Sequence, residues 1–291
     1  MLLYEIYIVL SSIIMLFWEL APYWASGLIA GSLISVYLSE RIAEKMTNLA
    51  SGKGRILAIC IASLLGIASP LCMYGTIPII VAFGHKKVPQ HLLATFMVSS
   101  VLLNPNLLLL SFVLGVEIAL ARLFLAFLCG ILAGTLVLIL FKDKSLFSFE
   151  RFSLNNKTKK TFLPDLFKAF RITAPYLLIG ITLTVLFSRY IPPEWIASMF
   201  GTRNGLGVLF ATSLSIPLYA CGGGTIPLIR AWLFAGMGVG DALAFMIAGP
   251  ATKITSLSAV KMILGARHFL LYLTYCIGFA IMAGLFVDLV L

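Results

Sequence analysis

Two cysteines occupy the same place in a motif that occurs twice. Cys72-Met73-Tyr74-Gly75-Thr76-Ile77-Pro78 and Cys221-Gly222-Gly223-Gly224-Thr225-Ile226-Pro227 both read C-x-x-G-T-I-P. A thiolate is a soft ligand suited to thiophilic solutes. The Gly-Thr pair predicts a turn followed by a helix-capping hydroxyl. Pro78 and Pro227 then fall in the first helical turn, where a missing N–H costs nothing. A half-helix starting there aims its unpaired N–H groups and positive end back at the cysteine loop, a setting that favours an anion or a thiolate. The structural alternative is a small buried residue beside a kink.

Each copy lies inside a long apolar stretch. Backbone that leaves the helix at membrane depth is tolerated only where protein or a water-filled cavity surrounds it. Two matching breaks, one per half of the chain, mark a transporter whose binding site lies between two repeats. Composition agrees. The chain is 61% hydrophobic and 11% charged, against about 25% charged in a soluble domain. Apolar runs of about 20 residues recur from end to end, as helices crossing a bilayer need. They are continuous, which argues against a β-barrel. The net charge of +10 reads as cytoplasmic loops facing anionic lipid, with no nucleic-acid partner. The apolar stretch from Met1 to Trp18 reads as the start of the first helix and not as a signal peptide. Five cysteines, all in apolar segments, make no secreted disulfide framework.

Further internal likeness predicts a duplication. Ala21-Pro22-Tyr23 returns as Ala174-Pro175-Tyr176. Ala121-Arg122-Leu123-Phe124-Leu125 returns as Ala266-Arg267-His268-Phe269-Leu270, and Asn104-Pro105 corresponds to Gly249-Pro250. The expected domains are a first membrane repeat at 1–141, a basic cytoplasmic linker at 142–163 and a second membrane repeat at 164–291. The expected fold is an all-α polytopic membrane bundle with broken or re-entrant helices and about eight to ten membrane segments. Basic residues in both the 40–55 loop and the linker put both on the cytoplasmic side, which makes the repeats inverted; the alternative is a parallel repeat. Helices are expected near 5–38, from Ile56 to a break at Ser69-Pro70 to Gly75, then 76–83, 89–115 interrupted at Asn104-Pro105-Asn106, and 116–141. The second half repeats them at 166–190, 205–220, 225–236, 241–265 interrupted at Gly249-Pro250, and 267–290.

Polar groups near the breaks complete the candidate site. The substrate-binding set is Cys72, Tyr74, Thr76, Asn104, Cys221, Thr225 and Lys253, with Asn106, Tyr219 and Thr255 close by. A Lys at the bilayer centre costs roughly 2.5–3.5 kcal/mol, so Lys253 needs a cavity, a partner or an interfacial position. Arg230, Asp241, Glu117 and Arg122 also fall at or near apolar segments and are expected at loop edges; Glu19 is a proton-relay or interfacial candidate. His85, His91 and His268 lack metal-ligand spacing, and there is no P-loop or Ser/His/Asp arrangement. Neither an enzyme nor an ATP-driven pump is expected, and no cofactor.

Ser69-Pro70-Leu71-Cys72 through Pro78, and Ile216-Pro217-Leu218-Tyr219-Ala220-Cys221 through Pro227 followed by Ala244 to Lys253, resemble the two motif regions of the predicted permease family. That family includes the ArsP-type organoarsenical efflux permeases and the YraQ-like permeases. The resemblance covers nearly the whole chain. It implies an inner (plasma) membrane, multi-pass permease with two related halves. For the arsenical exporters it implies efflux of trivalent organoarsenicals with the motif cysteines involved, here Cys72 and Cys221. The chain departs from the pattern at Tyr74, where a second close cysteine is expected.

Three readings follow. The first is a secondary transporter exporting a small thiophilic solute by alternating access. The second is a permease for another small solute, an anion or metal species, with packing cysteines. The third is a channel or membrane scaffold. A small-molecule substrate and the lipid bilayer are the implied partners.

Overall fold

The computed structural model describes residues 2–33, 44–48, 54–70, 73–141, 146–147, 206–219 and 222–290, with helical positions scattered between 163 and 189. No strand occurs among the described residues. Among the described residues ten helices have defined bounds: α1 Leu2–Leu33, α2 Arg55–Ala68, α3 Met73–His85, α4 Gln90–Leu102, α5 Pro105–Ser111, α6 Val116–Leu140, α7 Leu206–Leu218, α8 Gly222–Phe234, α9 Val239–Thr252 and α10 Ile254–Val290. A 3₁₀ turn, Phe112–Leu114, joins α5 to α6.

Among the described residues three stretches are long and apolar enough to cross a bilayer: Gln90–Leu114, Val116–Leu140 and Ile263–Val290. The 25 helical residues of Val116–Leu140 reach about 37 Å, more than a hydrocarbon core of about 30 Å. By the same rise α2, α3, α7, α8 and α9, of 13 or 14 residues each, reach only about 20 Å. Each therefore ends within an apolar layer unless continued by a neighbour.

The described elements follow one order twice. A 14- or 13-residue helix (α2, α7) is followed by a break, then a 13-residue half-helix (α3, α8), a short turn, a buried helix (α4, α9), a second break, and a helix with a left-handed glycine before its long apolar run. Those glycines are Gly115, φ 127°, and Gly265, φ 71°. A side chain is strained there, and glycine is not. Every residue of α4 from Leu92 to Leu102 is buried, and so is every residue of α9 from Gly240 to Thr252. The outward faces are apolar, as with Leu120, Phe124 and Ile139 of α6.

Small residues let these helices approach, as helix packing in lipid requires. In the first half α2, α4 and α6 pack together. Ser63 and Ser99 share a 2.8 Å hydrogen bond between α2 and α4. A Cβ on Gly130 of α6 would strike the Ser99 hydroxyl and come within 2.8 Å of that of Ser63. In the second half α9 packs on α7 and α10, with Gly240 against Gly284 and Asp288.

Several expected boundaries shift. The helix after the first break begins by Met73, so that break does not extend to Gly75. Gly75 and Thr76 already lie inside α3, and Thr225 lies inside α8. Pro78 and Pro227 are the sixth residues of those helices, beyond the first turn. Gly249-Pro250 does not interrupt its segment: both lie within α9, and the break comes at Lys253, with φ −55° and ψ 135°. Ala121-Arg122 and Ala266-Arg267 take different positions relative to the left-handed glycines Gly115 and Gly265. Arg267 follows Gly265 by two residues, Arg122 follows Gly115 by seven, and Arg122 is buried where Arg267 is exposed. Most of the 142–163 linker lies outside the described residues. Leu146 and Phe147 within it are buried in the core, and the Leu146 N–H donates to Gln90 Oε1 at 2.5 Å.

Candidate functional site

Each half-helix that follows a C-x-x-G-T-I-P break is anchored to the buried helix of its own half. The Thr76 and Ser100 hydroxyls are 3.1 Å apart, tying α3 to α4. Ser100 also donates to the Met97 carbonyl at 3.2 Å. Thr76 therefore spans two helices and does not cap one. In the second half Thr225 is buried. Tyr219, at the break, and Trp232, on α8, both pack on Phe245 of α9, with ring centroids 6.1 and 5.4 Å apart. The Tyr219 ring also lies on Gly249, where a Cβ would collide with it. Glycine in this helix interior serves close packing, not the turn its sequence suggests.

The half-helices also cross between halves. α3 packs on α10, and α8 packs on α5 and the 3₁₀ turn. Each thus bridges to the opposite half.

Asn104 occupies the second kind of break. It is extended, φ −135° and ψ 168°, and its Oδ1 accepts the Leu107 N–H at 2.8 Å. With Pro105 at the first helical position, this is the arrangement that starts a helix. Lys253 takes the corresponding break of the second half. Its N–H donates to the Gly249 carbonyl at 2.9 Å, and its side chain is half-buried. Cys72 and Cys221 lie outside the described residues, as do the side chains of Tyr74 and Thr255. The described part of the site therefore rests on Thr76, Asn104, Thr225 and Lys253. Among the described residues no group of three His, Cys, Asp or Glu side chains is placed to hold a metal ion.

Two expected loop-edge residues are buried: Arg122 is 1% exposed and Asp241 is 5% exposed. Arg230 and Glu117 are exposed, the former with its guanidinium 5.7 Å from the Phe234 ring. Arg122 sits on α6 between the halves. Its Nη1 donates to Ser111 Oγ of α5 at 2.7 Å and its Nη2 to the Met246 carbonyl of α9 at 3.5 Å. That carbonyl has no helical partner, because the residue four positions on is Pro250, which has no N–H. Pro250 is the sequence signal that could have located this contact. Cys129 and Tyr275 make another link between halves, the Tyr275 hydroxyl donating to the Cys129 carbonyl at 2.5 Å.

Broken, small-residue-packed apolar helices facing outward with more apolar side chains define a helical membrane protein of the permease type. The chain belongs to the ArsP_1 family, described as predicted permeases, whose model matches residues 5–289. It is similar to a UPF0718 protein of Methanocaldococcus jannaschii, 27% identical over 56% of this chain and 41% of that protein, so the match spans less than half the length of that relative. A Streptococcus mutans protein, named as a subunit of a two-component membrane permease complex, is 27% identical over 84% of this chain and 82% of its own length. The UPF0718 protein YcgR of Bacillus subtilis is 23% identical over 93% of both chains. No solved structure matches.

Proposed function

We propose that this chain is a secondary transporter that exports a small thiophilic solute, such as a trivalent organoarsenical, across the inner (plasma) membrane by alternating access. The solute binds between two inverted membrane repeats, at 1–141 and 164–291, joined by a basic cytoplasmic linker. Its contacts are Cys72, Tyr74, Thr76, Asn104, Cys221, Thr225 and Lys253. The observation that carries this reading is the reciprocal packing of the half-helices: α3 leans on α10 and α8 on α5. Rocking one half against the other then opens and closes both breaks together.

Thiophilicity rests on the two cysteines of the repeated motif and on the family resemblance. Trivalent arsenic binds thiolate, and two cysteines from opposite halves suit one solute. Without an ATP site, a gradient or an exchange supplies the driving force.

The test is uptake of a trivalent methylarsenical into everted vesicles by the native chain, Cys72→Ser and Cys221→Ser. Saturable uptake lost in both variants supports the reading. Uptake unaffected by either substitution returns the cysteines to packing, and no uptake by folded native protein rejects this substrate.

A further inference from the structure

We propose that Arg122 is the recognition point for an oxyanion, such as a carboxylate or phosphoryl group, carried by the solute of this permease. Arg122 is 1% exposed, within a bundle whose core is apolar. A guanidinium stays protonated in a protein, so this side chain is a permanent buried cation. Leaving such a charge uncompensated is strongly unfavourable. Its fixed partners are neutral: a hydroxyl at 2.7 Å and a carbonyl at 3.5 Å. The Nε–H has no acceptor. No carboxylate partners Arg122 among the described residues, and Glu117, the nearest acid on its own helix, is exposed.

One edge of the guanidinium is under-used. Nε and Nη2 project in parallel from the same side of the planar guanidinium, and this edge carries one empty donor and one long contact. Two parallel N–H groups fit the two oxygens of a carboxylate or phosphoryl group, the strongest and most directional pairing arginine makes. Nη1 is held by Ser111, so the fork is oriented before any anion arrives. Its two partners come from different halves of the chain. Ser111 belongs to the first half, Met246 to the second, and α5 packs on α8, the half-helix that starts at the second cysteine break.

The inference rests on the permease reading and concerns a solute bearing an anionic oxygen group, which the trivalent methylarsenical of the first test lacks. Binding and transport are measured separately, so the two can fail separately. Purified full-length chain is unfolded thermally in acetate, phosphate or methylphosphonate, against chloride at equal ionic strength. At least one oxyanion should raise the native midpoint by about 3 °C or more. Arg122→Gln should abolish that rise, and Arg122→Lys, with the charge but no fork, should reduce it. If no oxyanion acts beyond chloride, or Arg122→Gln responds like the native chain, the proposal is wrong. Should the glutamine variant fail to fold, an undiminished response in Arg122→Lys overturns it equally. Everted-vesicle uptake of the stabilising anion supplies the second readout. Stabilisation without uptake keeps the anion site and counts against transport of that anion. Arsenical transport without any oxyanion stabilisation removes the site and leaves the permease.

Discussion

Tyr219 and Gly249 are in direct contact: the ring of the residue at the second break lies where a side chain on Gly249 would be. The nearest ring atoms are those closest to the Tyr219 backbone, so the ring cannot swing clear. Gly249→Ala should therefore destabilise the fold by about 1–3 kcal/mol, as overpacking does. That outweighs the ~1 kcal/mol an alanine normally gains over glycine in a helix. Thermal unfolding of the variant in detergent checks the sign; a higher midpoint would mean that the contact does not constrain the break.

Thr76 and Ser100 form the link that holds the first half-helix. Thr76→Val keeps the shape and removes the hydroxyl, at a cost of about 0.5–1.5 kcal/mol. Ser100→Ala should cost little more once Thr76 is gone, giving a coupling energy in a double-mutant cycle. If the two losses simply add, the bond contributes nothing. A fall in transport much larger than the stability loss would mark Thr76 as a solute contact as well.

For Asn104 the cap is visible, and contact with solute is the proposal. Asn104→Ala should lose about 1 kcal/mol, and Asn104→Ser should recover most of it by capping α5 in the same way. Uptake then separates the roles. A serine variant with native stability and native transport confines Asn104 to capping, whereas native stability with impaired uptake assigns it to the solute.

Gly130 meets the Ser63–Ser99 pair, and Gly130→Ala should push the Ser99 hydroxyl out of its 2.8 Å bond. A loss of about 1–3 kcal/mol is expected from crowding α2, α4 and α6. Adding Ser99→Ala relieves the crowding and should return part of the loss. A double variant no better than the single one would place the damage elsewhere.

The sequence by itself determined the solvent and the punctuation of this protein. Its uninterrupted apolar runs require a membrane-embedded helical bundle, because every buried backbone group must then be paired within a helix. Its repeated Gly, Pro and Asn positions located the breaks near residues 70, 104 and 220, because these residue types are the ones that leave a helix cheaply. Only the tertiary structure decided what those residues do. Gly249 and Pro250 look like an interruption but lie within α9, one admitting the Tyr219 ring and the other freeing a carbonyl for Arg122. Thr76 looks like a cap and is a strut. Arg122, read as a loop-edge residue near the start of an apolar run, is among the most buried side chains. Local sequence sets backbone preference, whereas burial and pairing depend on which helix lies across the interface, and that is set by packing between segments 24 to 124 residues apart in the chain.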